Sequence, residues 1–402
     1  MPQAIFAWSY LEWGGAQIYF LSIIKHAPAD WRFRILLPAD SSPEIVKFFT
    51  RDNTEIEFLD FSLDTAPPRS LWHRFSRHCR RIAAEQRMKK RLESIGIADK
   101  IVHIETAPWQ SWTFLSRLAR AGNVFVTMHN SLPRVESWRE NVWRRRFRYL
   151  FRIKGFHLFT SNKDTRTSLS LFLEPEDLAR IRVTYTTVDP DEIERVIASD
   201  HDRAAACAKH GIPNEKFIVM CVGQFIDRKG RWVFLDAAKR IAAENDDVFF
   251  VWLTPSMPSD EDRVRIDNYG LSEKFKLILS SDAGATRQEI LSFFRIADAF
   301  ALPSFMEGLP ISLLEAMALG LPSISTNTNA IPEAVIDGQT GILIEPGDDA
   351  ALAEAILTLK NDAGLRQRLS EAGREHVIRN FDERSASAIA IASYEEALAN
   401  GQ

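Results

Sequence analysis

Short apolar runs alternate with helix-like stretches from one end of this chain to the other, and that alternation restricts it to βαβ units around parallel sheets. AIFAWS, FRILLP, IEFLD, KIVHIE, NVFVTMH, FHLFTS and IRVTY read as strands within the first 185 residues. FIVMCVGQF, VFFVWLT, KFKLILS, DAFALPS, LPSIST and GILIEP read as a second series. Helical patterns such as AQIYFLSIIKHA, WQSWTFLSRLARA and RWVFLDAAKRIAAE lie between them. The polar segment DPDEIERVIASDHDRAAACAKHGIPNE separates the two series and places a boundary between Val188 and Asn214. Domains are therefore expected over 1–190 and 191–383, each large enough for its own core, with a last helix at about 384–402 packing back on the first. Two doubly wound α/β sheets facing a central cleft are the expected architecture, with ligands at the carboxyl ends of the strands.

Composition narrows the class. Of 402 residues, 46% are hydrophobic and 26% charged, which excludes a disordered or fibrous chain. The three cysteines Cys79, Cys207 and Cys221 cannot staple this length and lack metal-ligand spacing, so reduced thiols in a cytoplasmic protein are expected. The start, MPQAIFAWSYLEWGG, lacks the basic leader and apolar core of a signal peptide. The charge-free run from Ala316 to Pro332 is broken by Gly, Pro, Ser, Thr and Asn, so it does not read as a transmembrane helix. The net charge of −4 is unevenly spread: residues 1–200 carry 30 Lys and Arg against 24 Asp and Glu, and residues 201–402 carry 20 against 30. The halves are expected to meet different partners.

The most informative segment is ADAFALPSFMEGLPISLLEAMALGLPSIST. A strand ends near Ser304, a loop follows through Glu307 and Gly308, and Pro310 is expected at the first helical position, where its missing amide loses nothing. The helix should run to Ala318 or Leu319 and stop at Gly320. Its free amides, near Gly308 to Ser312, favour an anion such as phosphate. Glu307 and Glu315 can border one ligand, a carboxylate being able to accept two hydroxyl hydrogen bonds from a sugar; Glu315 reads equally as a solvated helix residue. Residues 301–350 hold seven Asp and Glu and no Lys or Arg, so an anion there needs countercharge from elsewhere. Arg228 and Lys229, where VGQFIDRKGRWVFLDAAKR passes from strand to helix, are the expected source.

In the first half, Trp13-Gly14-Gly15-Ala16 follows the first strand and opens a helix, allowing close backbone approach by a ligand. No G-x-G-x-x-G is present there, which counts against a nicotinamide or flavin dinucleotide. His129 lies just past the fifth strand, in a loop where a histidine can act. Arg69 to Arg91 holds nine Lys and Arg against one Glu, and Arg134 to Lys154 holds eight against two, interleaved with Trp138, Trp143, Phe147, Tyr149 and Phe151. These stretches read either as solvated helical faces or as attachment to an anionic membrane face. The acidic second half and the total charge argue against nucleic acid.

EGLPISLLEAMALGLPSIST…IPEAVIDGQTGILIEPGD resembles the signature of family 4 glycosyltransferases, retaining enzymes of the glycosyl transferases group 1 type with the two-domain GT-B fold. The likeness is strongest over residues 217–350. It implies that Glu307 lies near the transferred sugar and Glu315 on the ribose of a nucleotide-diphosphate sugar, with Gly308, Leu309 and Pro310 along the diphosphate and sugar. It also implies that Lys229 neutralises diphosphate, that Gly15 lies beside it next to Gly14, and that His129 lines the donor sugar. Three positions depart from the family pattern. Gln224 stands where the family has Arg, with Arg228 as its expected substitute. Thr254-Pro255-Ser256 replaces a Gly-rich turn, and Thr186-Thr187-Val188-Asp189 replaces Asn-Gly-Val-Asp.

The resemblance implies sugar transfer with retention to a glycan or lipid-linked hydroxyl, by front-face displacement, in polysaccharide or glycoconjugate synthesis. Neither a metal nor another cofactor is expected. Glu105, Trp109 and Trp138 are the acceptor-side candidates, and the protein is expected in the cytoplasm, attached peripherally to the inner membrane face. The competing readings are a sugar-nucleotide epimerase or phosphorylase of the same architecture, and a non-catalytic sugar-nucleotide-binding subunit, which Gln224 favours.

Overall fold

Strands such as Asn123–Met128 and Val248–Thr254 are buried along their whole length, so both faces of each sheet need a covering of helices. The computed structural model provides it. It describes residues 1–8, 15–41, 43–61, 70–132 and 135–400, without the side chains of 8, 15, 16 and 43–45. The first sheet comprises β1 (Gln3–Trp8), β2 (Arg32–Pro38), β3 (Thr54–Leu59), β4 (Ile101–Glu105), β5 (Asn123–Met128), β6 (Phe156–Thr160) and β7 (Arg182–Val183). They lie side by side in the order β3-β2-β1-β4-β5-β6-β7. The second comprises β8 (Phe217–Val222), β9 (Val248–Thr254), β10 (Phe275–Leu279), β11 (Ala299–Leu302), β12 (Ser323–Thr326) and β13 (Ile342–Ile344), in the order β10-β9-β8-β11-β12-β13.

Pairing is parallel throughout both sheets. All thirteen segments anticipated as strands are strands. In each sheet the winding reverses once, between β1 and β4 and between β8 and β11. Loops leaving the carboxyl ends of such a pair diverge, and the gap they leave is the usual ligand site of this topology.

The chain divides into two units, Met1–Tyr185 with Arg384–Gln402, and Thr186–Glu383. The polar helices Pro190–Ala198 and Arg203–His210 therefore belong wholly to the second unit. Val188 is fastened there by the Val188 amide donating to the Phe381 carbonyl at 2.9 Å and the Glu383 amide to the Val188 carbonyl at 3.0 Å. On the first unit, Ala390, Ile391, Tyr394 and Ala397 of the helix Glu383–Asn400 join the core around Phe6, Phe20, Phe33 and Phe125. A buried polar chain ties that helix down. His103 Nδ1 meets the Tyr394 hydroxyl at 2.5 Å, His103 Nε2 meets Thr127 Oγ1 at 2.8 Å, and the Tyr19 hydroxyl meets Thr184 Oγ1 at 2.7 Å. Thr127 Oγ1 closes the chain by donating to the Tyr19 hydroxyl at 3.3 Å.

Cys79, Cys207 and Cys221 are free thiols. Among the described residues no helix is long and apolar enough to cross a membrane.

Candidate functional site

The β8–β11 reversal is where the second unit gathers its charge. The chain leaves β8 at Gly223 and turns through Asp227–Lys229 before the helix Arg231–Glu244. Gly230 makes that turn possible. Its φ is +73°, and a Cβ there would lie 1.8 Å from the Pro303 carbonyl oxygen, so the turn packs directly on the end of β11. The Phe305 amide donates to the Arg228 carbonyl at 2.9 Å, a second tie between the same two loops. Hydroxyls of β12 hold the β11 loop from the other side: Ser325 Oγ donates to Leu302 O and Thr326 Oγ1 to Ser304 O.

These ties converge three charges. Lys229 Nζ lies 2.7 Å from Glu307 Oε1, and Arg228 Nη1 lies 3.1 Å from Glu307 Oε2. Ser304 Oγ donates to Glu307 Oε1 at 3.0 Å, and Arg228 Nη1 also donates to the Met306 carbonyl at 3.0 Å. Glu307 is buried and Arg228 is exposed. Two cations share one carboxylate, so the corner keeps a surplus positive charge. Arg228 and Lys229, expected as countercharge for an anion at the acidic 301–350 segment, meet Glu307 of that segment. Gln224 sits two residues beyond β8, and its carbonyl accepts the Ile226 amide at 3.0 Å.

The next helix, Ile311–Ala318, starts one residue later than expected. Pro310 is its N-cap, not its first helical residue: ψ of +119° keeps Pro310 extended while its carbonyl accepts the Leu313 amide at 3.1 Å. No side chain caps this end, and Gly308, Leu309 and Pro310 are buried beside it. Ser312 Oγ donates to the Val222 carbonyl at 3.0 Å, pinning the helix start to the end of β8. Gly320, at φ +81°, ends the helix as anticipated. An uncapped N-terminus beside a cationic corner is suited to a phosphate-bearing anion.

Glu315 is buried and not a solvated helix residue. Arg287 Nη2 donates to Glu315 Oε1 at 2.6 Å, and Arg287 Nε donates to Glu192 Oε2 at 2.9 Å. Burial raises the Glu315 carboxyl from its ordinary value while the Arg287 charge opposes that rise. Burial lowers the Arg287 guanidinium, but its two carboxylates outweigh that and hold it above its usual range. Sequence reasoning did not single out Arg287. The available signal was T-R-Q-E, Thr286 to Glu289, a capping box that puts Arg287 at the start of the helix Arg287–Phe293. A cation in a first turn opposes the helix dipole, so its presence there calls for a partner.

In the first unit, Glu105 ends β4 and His129 follows β5. Glu105 Oε1 and His129 Nε2 are 3.9 Å apart, and the Tyr19 ring lies edge-on to the His129 ring at 5.5 Å. Burial pulls the His129 imidazole down to about 4, so it is neutral at pH 7. Gly15 opens the helix Gly15–His26 that carries Tyr19, and Gly14 lies outside the described residues.

Trp109 is half-buried, its ring 5.2 Å from that of Trp143 and its carbonyl accepting Arg146 Nη1 at 2.7 Å. Trp138 is exposed, with the Arg139 guanidinium 5.2 Å from its ring. Among the described residues, no group of three His, Cys, Asp or Glu side chains could hold a metal ion.

Residues 202–376 match the family model described as glycosyl transferases group 1. A D-inositol 3-phosphate glycosyltransferase from Paenarthrobacter aurescens (strain TC1) is 26% identical over 226 residues, which is 55% of this chain and 53% of that one. The chain spans about half the length of the curated relatives it matches. A glycosyltransferase from Rickettsia africae ESF-5 superposes with a TM-score of 0.76 at 17% identity, covering 99% of both chains. Anabaena Alr3699/HepE, solved in complex with UDP, gives 0.71 at 16% identity over 98% of this chain and 100% of that one. At those identities the likeness establishes the fold. Residues 202–376 are thus similar to the glycosyl transferases group 1 family, and the chain as a whole has the GT-B fold.

Proposed function

We propose that this protein is a retaining glycosyltransferase that moves a sugar from a nucleotide-diphosphate sugar to a hydroxyl of a glycan or lipid-linked acceptor. The observation that carries this reading is the surplus positive charge of Lys229 and Arg228 around Glu307, beside the uncapped helix at Ile311. Departure of a nucleoside diphosphate adds a further negative charge to oxygens already anionic in the donor, and preorganised cations and amides stabilise that state more than the ground state. Lys229 and Arg228 serve the leaving diphosphate, so the scheme needs no divalent metal. Glu307, its charge offset by both cations, borders the sugar, and Glu315 accepts from the ribose. Front-face displacement, with the departing phosphate taking the acceptor proton, fits a site whose carboxylates are engaged by cations. Neutral His129 near Glu105 can donate to or accept from sugar hydroxyls.

The two basic stretches support an acceptor at an anionic lipid face. Leu71, Trp72 and Phe75 are 80%, 81% and 60% exposed at the start of the helix Leu71–Ile95, among its arginines. Arg81 of that helix donates to Ser111 Oγ, and Arg146 of the helix Ser137–Phe151 donates to Trp109 O, so cations of both stretches reach one loop after β4. Such a surface would hold a cytoplasmic enzyme peripherally on the membrane.

A thermal-shift panel of nucleoside diphosphates tests the donor. A true ligand at a hundredfold excess over its Kd should stabilise by about 2.7 kcal/mol. Lys229→Ala should weaken that ligand by about tenfold to a hundredfold, because a charge-assisted hydrogen bond is lost. No shift with any diphosphate, or unchanged binding by Lys229→Ala, would overturn the assignment. Proton NMR of the product's anomeric centre tests retention.

A further inference from the structure

Arg287 has a place that the charge of its own helix does not favour. It opens the helix Arg287–Phe293, fixed there by the capping box in which Thr286 Oγ1 accepts the Glu289 amide and Glu289 Oε2 accepts the Thr286 amide. A guanidinium in the first turn faces the positive end of the helix dipole. Two carboxylates from two other helices offset this. Glu192 comes from the helix Pro190–Ala198, and Glu315 from the helix Ile311–Ala318. Glu192 and Glu315 side chains are 19% and 7% exposed, so neither ion is dispersed by bulk water.

The geometry separates the roles of the two ends of the guanidinium. Nε and Nη2 point to different acids, so Arg287 bridges its partners and does not clamp one of them with both arms. One Glu315 oxygen, Oε1, is engaged at 2.6 Å, which fixes the plane of the carboxylate and leaves Oε2 to address a ligand. Two acids on one base leave a net negative charge. That charge suits neutral hydroxyl donors and opposes phosphate, which the corner at Arg228 and Lys229 attracts. Within the second unit, hydroxyl recognition and phosphate recognition are thus assigned to different cations.

We propose that Arg287 is the positioning residue of the ribose subsite: it holds Glu315 oriented so that the carboxyl group accepts the ribose hydroxyls of the donor nucleotide. This rests on the nucleotide-sugar reading above. Arg287 acts through Glu315 and touches no reacting atom.

The test compares ribose with deoxyribose ligands, because a merely structural arginine would affect both alike. UDP, GDP, dUDP and dGDP are titrated calorimetrically into wild type, Arg287→Met and Arg287→Lys, with Tm recorded for each protein. Wild type should bind its preferred ribonucleotide about tenfold more tightly than the 2′-deoxy counterpart, as expected for loss of a hydrogen bond to a charged group. Arg287→Met should bring that ratio close to one, mainly by weakening the ribonucleotide. If Arg287→Met does not fold, Arg287→Lys decides: an ammonium cannot span both acids as the fork does, and the ratio should fall at least threefold. A ratio unchanged from wild type in the folded variant, or equal loss of ribo and deoxy binding, would overturn the role of Arg287 and leave the donor reading standing. A wild type that binds none of the four would overturn the donor reading and this inference with it.

Discussion

The two sheets reverse their winding in the same way yet carry opposite chemistry at the reversal. At β8–β11, Lys229 and Arg228 surround a single buried carboxylate, and the uncapped helix adds amides. At β4, among the described residues, a carboxylate faces a neutral imidazole, Glu105 and His129. A shared topology therefore provides a place for ligands and leaves their sign to the loops. The positive corner suits a diphosphate; the first-unit corner suits uncharged hydroxyls. The two corners also differ in how they are held. Backbone contacts lock the second: the Gly230 turn rests on the Pro303 carbonyl. Side chains hold the first, through Tyr19, His103, Thr127 and Tyr394.

Breaking the backbone lock should have the largest effect. Gly230→Val places a Cβ on the Pro303 carbonyl and demands a left-handed φ of a β-branched residue. It should lower unfolding free energy by about 3 kcal/mol or more, read as a shifted urea midpoint, and abolish nucleotide stabilisation. A stable, ligand-responsive variant would mean that the corner is not built on that contact.

A pH series sharpens the other side of the comparison. The unfolded His129 binds a proton below its ordinary 6.5, whereas the native imidazole does so only below about 4. Between those values the unfolded chain carries more protons, so stability falls as pH falls, by up to about 1.4 kcal/mol per pH unit for one group. His103 and His157, both lowered by burial, act in the same direction. His129→Gln should therefore shallow the decline between pH 6.5 and 5. A slope identical to wild type would show that His129 is charged in the native state, and the contrast of sign between the corners would fail.

The smallest expected effect is at the surface. Trp72→Ala with Phe75→Ala should reduce binding to anionic liposomes about tenfold at low salt, with little change on neutral ones. Equal binding to both kinds of liposome by the unaltered protein would remove the membrane assignment.

Local pattern carried much of this architecture. Strand positions follow from apolar runs; Lys229 and Glu307 were legible because each sits where a strand hands over to a helix, and Gly320 because a glycine ends the helix before β12. Arg287 was not legible, since its partners Glu192 and Glu315 lie 95 and 28 residues away. The Trp109 contacts with Trp143 and Arg146 were not legible either, because those partners come from the helix Ser137–Phe151 beyond the next strand. Pro310 shows the limit of local rules: both N1 and N-cap tolerate a missing amide, and the tie from Ser312 to Val222 accompanies the choice between them.

Periodicity and turn chemistry, which act over a few residues, determined two parallel sheets, their order of elements and the loops that could hold an anion. Charge partnership belongs to the tertiary structure. Which carboxylate meets which cation, which histidine is kept neutral, and where the last helix docks depend on side chains brought together from distant parts of the chain. Their burial weakens solvent screening, so contacts that would mean little on an exposed helix decide the chemistry of the site.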